Sequence, residues 1–119
     1  MIRLGVVGYG RRAHGVINGA LRQVEPEVKV VAVVDPDEEG VRQRLAESDR
    51  PEVKFFNSLE EMVRKSSIDG LFIGTRCHLH AAMAIKAAAF DLPLFLEKPV
   101  AITMKQAMAL EKAFEKSRC

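Results

Sequence analysis

Six consecutive residues near the start of the chain, Gly8-Tyr9-Gly10-Arg11-Arg12-Ala13, follow an apolar run and match the pattern Gly-x-Gly-x-x-Gly/Ala. Gly8 permits a tight turn, Gly10 lets the backbone approach a pyrophosphate, and Ala13 is small enough for a helix to pack closely against the strand before it. A helix beginning there offers unpaired N–H groups and the positive end of its dipole to an anion, with no lysine needed. About 20 positions further on, the run Val28 to Val34 ends at Asp35, the spacing at which an acid meets the hydroxyls of an adenosine ribose. A carboxylate there repels a 2′-phosphate, so the pattern predicts a dinucleotide site that takes NAD in preference to NADP. Arg11 and Arg12 pull the other way, because a guanidinium near the ribose can accept a 2′-phosphate. They also fit a phosphate contact and a solvated surface charge. The plainer reading of Asp35-Pro36-Asp37 is a strand end followed by a helix start.

Elements of two periods position these residues. Short β-branched runs alternate with helical segments, which predicts an α/β fold with a parallel sheet covered by helices. The expected strands are Arg3 to Val7, Val28 to Val34, Val53 to Phe56, Leu71 to Gly74 and Leu94 to Leu96. The runs around Val30 and Leu71 are almost continuously apolar, as strands buried on both faces must be. Ser58 with Glu61 and Thr103 with Gln106 have capping-box spacing and predict helix starts near Leu59 and Met104. Beyond Thr103, the apolar face Met104, Ala107, Leu110 and Phe114 predicts a surface helix packed on the sheet. The alanine-rich segment His80 to Phe90 predicts a slim, closely packed helix with only Lys86 reaching for water.

Composition sets the outer limits. A chain of 119 residues has room for one domain, and 48% hydrophobic with 29% charged residues is the balance of a globular one. The net charge of +2 is too small for a nucleic-acid or anionic-membrane footprint. The longest apolar runs are strand-sized, which argues against a membrane span. The glycines and arginines that follow the first apolar run reverse the charge order of a secretory signal. With only Cys77 and the terminal Cys119 available for a disulfide, a reducing cytoplasm is the expected setting. His78 and His80 stand two apart and His14 is distant, so no helical metal pair exists and no metal is expected.

Two further segments, Thr75-Arg76-Cys77-His78-Leu79-His80 after the fourth strand and Glu97-Lys98-Pro99 after the fifth, join the glycine loop in a fixed order. The three together resemble the N-terminal domain of the Gfo/Idh/MocA oxidoreductases, a family that pairs the glycine fingerprint with T-P-N-x-x-H and E-K-P. The likeness covers the whole of 1-119. It implies a Rossmann-type doubly wound sheet in three layers, with about five strands in the order 3-2-1-4-5. It places the loop Gly8, Tyr9, Gly10, Arg11, Arg12 and Ala13 on the cofactor and Asp35 on the ribose. It sets Thr75, His80, Glu97 and Pro99 along the cofactor cleft and brings Lys98 to the nicotinamide and substrate. An ammonium at Lys98 can polarise a reacting hydroxyl and hold the developing alkoxide. Arg76-Cys77 stands where the family has Pro-Asn, which removes an amide that would contact cofactor. Arg76 fits a phosphate or substrate contact, or a solvent-facing charge. Cys77, near a helix N-terminus, fits a structural role better than a reactive one.

Family members hold substrate in a second α+β domain, and its absence from these 119 residues makes the chain a fragment in expectation: a part that binds NAD without turnover, in a parent that oxidises a sugar, polyol, inositol or related diol. A non-catalytic NAD(P)-sensing module is the alternative, with Arg76-Cys77 as its mark. An S-adenosylmethionine-dependent methyltransferase fits less well, because the run before the loop, Leu4 to Val7, carries no acid. The strand Leu94 to Leu96 is expected to be an edge, which favours association with a second copy.

Overall fold

The computed structural model describes residues 2–98 and 101–117, with the Cys77 side chain left out. Five parallel strands, β1 (Ile2–Val7), β2 (Val28–Val34), β3 (Lys54–Phe56), β4 (Gly70–Ile73) and β5 (Leu94–Leu96), form one sheet in the order β3-β2-β1-β4-β5. This is the expected order. The first strand is central because its apolar residues are buried on both faces. Val6 pairs with Val33 on one side and Phe72 on the other, past a bulge at Leu4/Gly5 that re-sets the register with β2.

Alternation along the strands divides the core between the two faces. On one face, Leu4, Val6, Val30, Val33 and Phe72 pack with Ala13 and Ile17 of the first helix and with Val41 and Leu45. On the other, Val7, Val31, Ala32, Leu71 and Ile73 meet Leu59, Met62, Ala84 and Ala87. The result is the three-layer, doubly wound arrangement. No helix among the described residues is long and apolar enough to cross a membrane.

The helices start largely where their side chains can cap them. In α3 (Glu38–Arg44), Asp37 Oδ1 accepts the Gly40 N–H at 3.2 Å. In α4 (Leu59–Lys65), the Ser58 hydroxyl accepts the Glu61 N–H at 3.1 Å. At α6 (Met104–Glu115), Thr103 accepts the Gln106 N–H at 3.1 Å, and Gln106 Oε1 accepts in return from Ile102 N–H at 2.8 Å. The starts of α4 and α6 match those expected from spacing. The first helix is less regular: α1 (Arg11–Val16) runs through a π-helical turn, Ile17–Leu21, into α2 (Arg22–Val24). Within it, Asn18 Nδ2 donates to the His14 carbonyl at 3.0 Å, a side-chain competitor for a ladder acceptor. The segment after β4 makes a 3-10 turn, Cys77–Leu79, before α5 (His80–Ala88).

One packing detail differs from expectation. Helix α6 leans chiefly on α5 rather than directly on the sheet, with Leu110 and Phe114 half-buried and Met104 75% exposed. Lys86 of α5 is exposed as expected and lies 3.5 Å from Glu60 Oε1. A buried ion pair also exists that no periodicity announced. Arg22 Nη2 donates to Asp49 Oδ2, while Asp49 Oδ1 accepts the Val30 N–H at 3.3 Å, so one buried carboxylate ties α2 and the segment before β3 to the middle of the sheet.

Candidate functional site

The C-terminal ends of β1, β2 and β4 open onto one cleft of about 420 Å³, whose walls include Gly8, Gly10, Asp35, Asp37, Thr75 and Arg76. Ligands of open α/β sheets bind at such a switch point, where neighbouring strands send their connections to opposite faces. The turn after β1 is closed by Gly8 N–H donating to the Val34 carbonyl at 2.9 Å and by Gly74 N–H donating to the Val7 carbonyl at 2.8 Å. Ala13 is buried against the end of β4, where a methyl added to Gly74 would lie 3.4 Å from the Ala13 Cβ.

Gly10 is the N-cap of α1 with extended backbone, and no side chain caps this helix. Helices α3, α4 and α6 all rise from loops with an Asp, Ser or Thr filling that place. The leading N–H groups of α1 thus lack the internal acceptor that the other loop-started helices have. A Cβ added at Gly10 would meet nothing within 4 Å, so the space beside this helix start is open.

Asp35 closes the other side of the loop. Its Oδ2 accepts the Tyr9 N–H at 2.9 Å and its Oδ1 accepts the Asp37 N–H at 2.8 Å. Each carboxylate oxygen keeps a further lone pair, enough to accept two ribose hydroxyls without giving up either backbone bond. On the β4 side, the Thr75 hydroxyl is the one buried side-chain polar atom without a hydrogen-bond partner among the described residues. Arg76 is exposed beside it on the same wall.

Several other expected residues lie elsewhere. The Tyr9 backbone belongs to the loop, while its ring is fully buried in the core, with Oη accepting from Asn18 Nδ2 at 3.2 Å. A phenol can satisfy its one polar atom there while its ring fills the space beneath α1. His80 is buried behind the cleft wall, with Nε2 2.7 Å from the Thr75 carbonyl oxygen. A carbonyl only accepts, so Nε2 carries the proton in that bond and His80 steadies the Thr75 backbone. Arg12 pairs with Glu97, its Nε 3.4 and 3.5 Å from the two carboxylate oxygens, which joins the first turn of α1 to the end of β5. Arg11 is exposed, as is Lys98, which follows Glu97. Pro99 and Cys119 fall outside the described residues. No group of three potential metal ligands occurs among those described.

Burial raises the Tyr9 phenol above its ordinary value of 10.0, and the Asn18 hydrogen bond offsets only part of that rise. Below about pH 10 the folded and unfolded states both keep the proton. As pH rises further, the unfolded chain loses it first, so folding stability falls. Tyr9 is the sole tyrosine. Tyrosinate absorbance during alkaline titration should therefore report this group alone, rising above the free-tyrosine range. In urea melts, Tyr9→Phe should flatten the loss of stability above pH 10; an unchanged slope would assign that loss to other groups.

Arg44, at the end of α3, was not marked by any sequence pattern. Its Nη1 donates to the Tyr9 carbonyl at 2.8 Å and its Nη2 lies 3.3 Å from Asp37 Oδ2.

The family model described as "Oxidoreductase family, NAD-binding Rossmann fold" matches residues 2–119. The rhizopine catabolism protein MocA of Rhizobium meliloti is 30% identical over 105 residues, which is 88% of this chain and 31% of that protein. Inositol 2-dehydrogenase of Acidiphilium cryptum is 29% identical over 94% of this chain and 33% of its own length. Among solved structures, the WlbA dehydrogenase of Bordetella pertussis, in complex with NADH and UDP-GlcNAcA, superposes with a TM-score of 0.79 at 30% identity, covering 97% of this chain and 33% of that one. Myo-inositol dehydrogenase of Lactobacillus casei, in complex with NAD(H) and myo-inositol, gives 0.81 at 26% identity, over 95% and 33%. The chain thus spans about a third of the relatives it matches. The family model covers nearly every residue of this five-stranded parallel fold, and the chain belongs to the Gfo/Idh/MocA oxidoreductases as their NAD-binding Rossmann domain.

Proposed function

We propose that this chain is the dinucleotide-binding part of an NAD-dependent oxidoreductase that acts on a hydroxyl or carbonyl of a sugar, polyol, inositol or related diol. The observation that carries the reading is the uncapped start of α1 facing the same cleft as the Asp35 carboxylate. That pairing fits the two ends of an adenosine diphosphate moiety: N–H donors and dipole for the pyrophosphate, a carboxylate for the ribose. The unpartnered Thr75 hydroxyl supports it from the third wall. The bound nicotinamide would supply a two-electron acceptor for a substrate hydrogen.

The chain's own residues then have separate tasks. Gly8 and Gly10 give the pyrophosphate close access to the backbone, and Asp35 orients the ribose and disfavours a 2′-phosphate. Thr75 and Arg76 bound the cleft on the β4 side, with His80 holding Thr75 from behind. The Arg12–Glu97 pair fixes the end of β5, next to Lys98. Lys98 would polarise the substrate hydroxyl and hold the oxygen's developing charge. Substrate selection and the proton-relay partner of Lys98 belong to residues beyond this chain, in keeping with the third of its relatives' length that it spans.

Fluorescence titration of the 119-residue chain should give NADH binding about tenfold tighter than NADPH, the direction set by the Asp35 charge. Tighter NADPH binding would overturn the NAD assignment. In a dehydrogenase assay with polyols or inositols, the chain alone should yield no sustained NADH; steady turnover would mean that the substrate site lies within these residues.

A further inference from the structure

Four hydrogen bonds close a ring between the glycine loop and the β2–α3 turn. Asp35 Oδ2 accepts from Tyr9 N–H, and the Tyr9 carbonyl accepts from Arg44 Nη1. Arg44 Nη2 donates to Asp37 Oδ2, and Asp37 N–H returns to Asp35 Oδ1. The ring thus spans the two segments that would hold pyrophosphate and ribose, and it contains both the acceptor and the donor of one loop residue. Holding both the N–H and the carbonyl of Tyr9 fixes the two peptide units on either side of its Cα, and with them its φ and ψ.

The charges within the ring matter as much as its shape. The two carboxylates and one guanidinium leave one net negative charge. Arg44 is the one cation of the ring, and its second nitrogen is engaged by Asp37. Asp37 is held in turn by its capping bond to Gly40.

We infer that Arg44 is the positioning residue of the ribose-binding end, and that Asp37, by its charge and by engaging Arg44, helps turn the site away from 2′-phosphorylated dinucleotides. This rests on the dinucleotide reading above. Arg44 sets the loop through Tyr9, and Asp37 supplies the second negative charge that a 2′-phosphate would meet. Both act with Asp35 rather than in its place.

The two variants have opposite signatures. Asp37→Asn keeps a good helix cap while removing one charge. It should raise the NADPH-to-NADH affinity ratio about fivefold, the effect of one unit charge at close range in a partly exposed site. That gain should shrink at high salt, since the pair is open to solvent. Arg44→Met keeps much of the apolar stem and removes the cation. It should weaken NADH several-fold through a looser loop and lower the same ratio, because both acids then face the phosphate unopposed. A merely structural role would weaken both ligands equally and leave the ratio unchanged in each variant. Fluorescence titration with NADH and NADPH, alongside thermal melts, tests this on the 119-residue chain. Ratio shifts of opposite sign support the inference. Unchanged ratios in variants of a wild type that binds NADH overturn it alone, and a folded wild type that binds neither dinucleotide overturns the underlying reading with it.

Discussion

Gly8→Ala is expected to destabilise the fold by about 3 kcal/mol, from an αL penalty of about 1–2 kcal/mol and overpacking of similar size. Gly8 has φ +83°, a conformation that costs little without a Cβ. A Cβ built there would lie 2.6 Å from the Thr75 nitrogen, 2.7 Å from its Cα and 2.8 Å from the Gly74 carbonyl carbon. All three are backbone atoms, which cannot swing aside as a flexible side chain would. Relief requires the ends of β1 and β4 to part, and that would break the Gly74–Val7 bond and displace the Thr75 wall. A domain of this size should lose roughly 10 °C or more in Tm. A melt superimposable on wild type would show that the turn relaxes without cost.

Asp35→Ala should lower NADH affinity by about a hundredfold, the scale of two hydrogen bonds from ribose hydroxyls to a charged acceptor. NADPH should lose much less, because the same change removes the charge that repels its phosphate. The alanine variant also strips the acceptors from Tyr9 N–H and Asp37 N–H, so part of the loss comes from a loosened loop. Asp35→Asn separates the effects. It keeps one acceptor oxygen and most of the shape but no charge, and should recover NADPH more fully than NADH. Equal NADH affinity in wild type and Asp35→Ala, measured by the same titration, would place the ribose elsewhere.

What was legible in the sequence is what local chemistry determines. Strand spans followed from short apolar runs, β-branched in β2 and Leu-Phe-Leu in β5, and these two strands have their expected limits. The starts of α4 and α6 followed from a hydroxyl three residues before a carboxylate or amide. Gly8, Gly10, Ala13 and Asp35 could be singled out because turn, close approach and charge each demand a residue type at a set spacing. Arg44 could not. Its carbonyl partner lies 35 residues back, and an arginine near the end of a surface helix has the same periodicity whether solvated or paired. Asp49 was hidden likewise, 27 residues from Arg22 in a stretch rich in other charges. The burial of the Tyr9 ring was not legible either, because a position inside a glycine loop says where the backbone runs, not to which side of it the ring turns.

The central place of β1 has a consequence for how the molecule comes to be made. Of the strands of this sheet, the one made first is flanked on both sides by strands made later, and its register with β4 joins Leu4 to Gly70. Until the fourth strand has been synthesised, one hydrogen-bonding edge of this apolar segment has no partner, however well β2 has docked on the other. Sheets assembled from such distant pairings close slowly, after the entropy of a long loop has been overcome. The cleft cannot exist before that closure, since Gly8 after β1 and Thr75 after β4 both line it, so the capacity to hold a nucleotide would arise in one late step of folding.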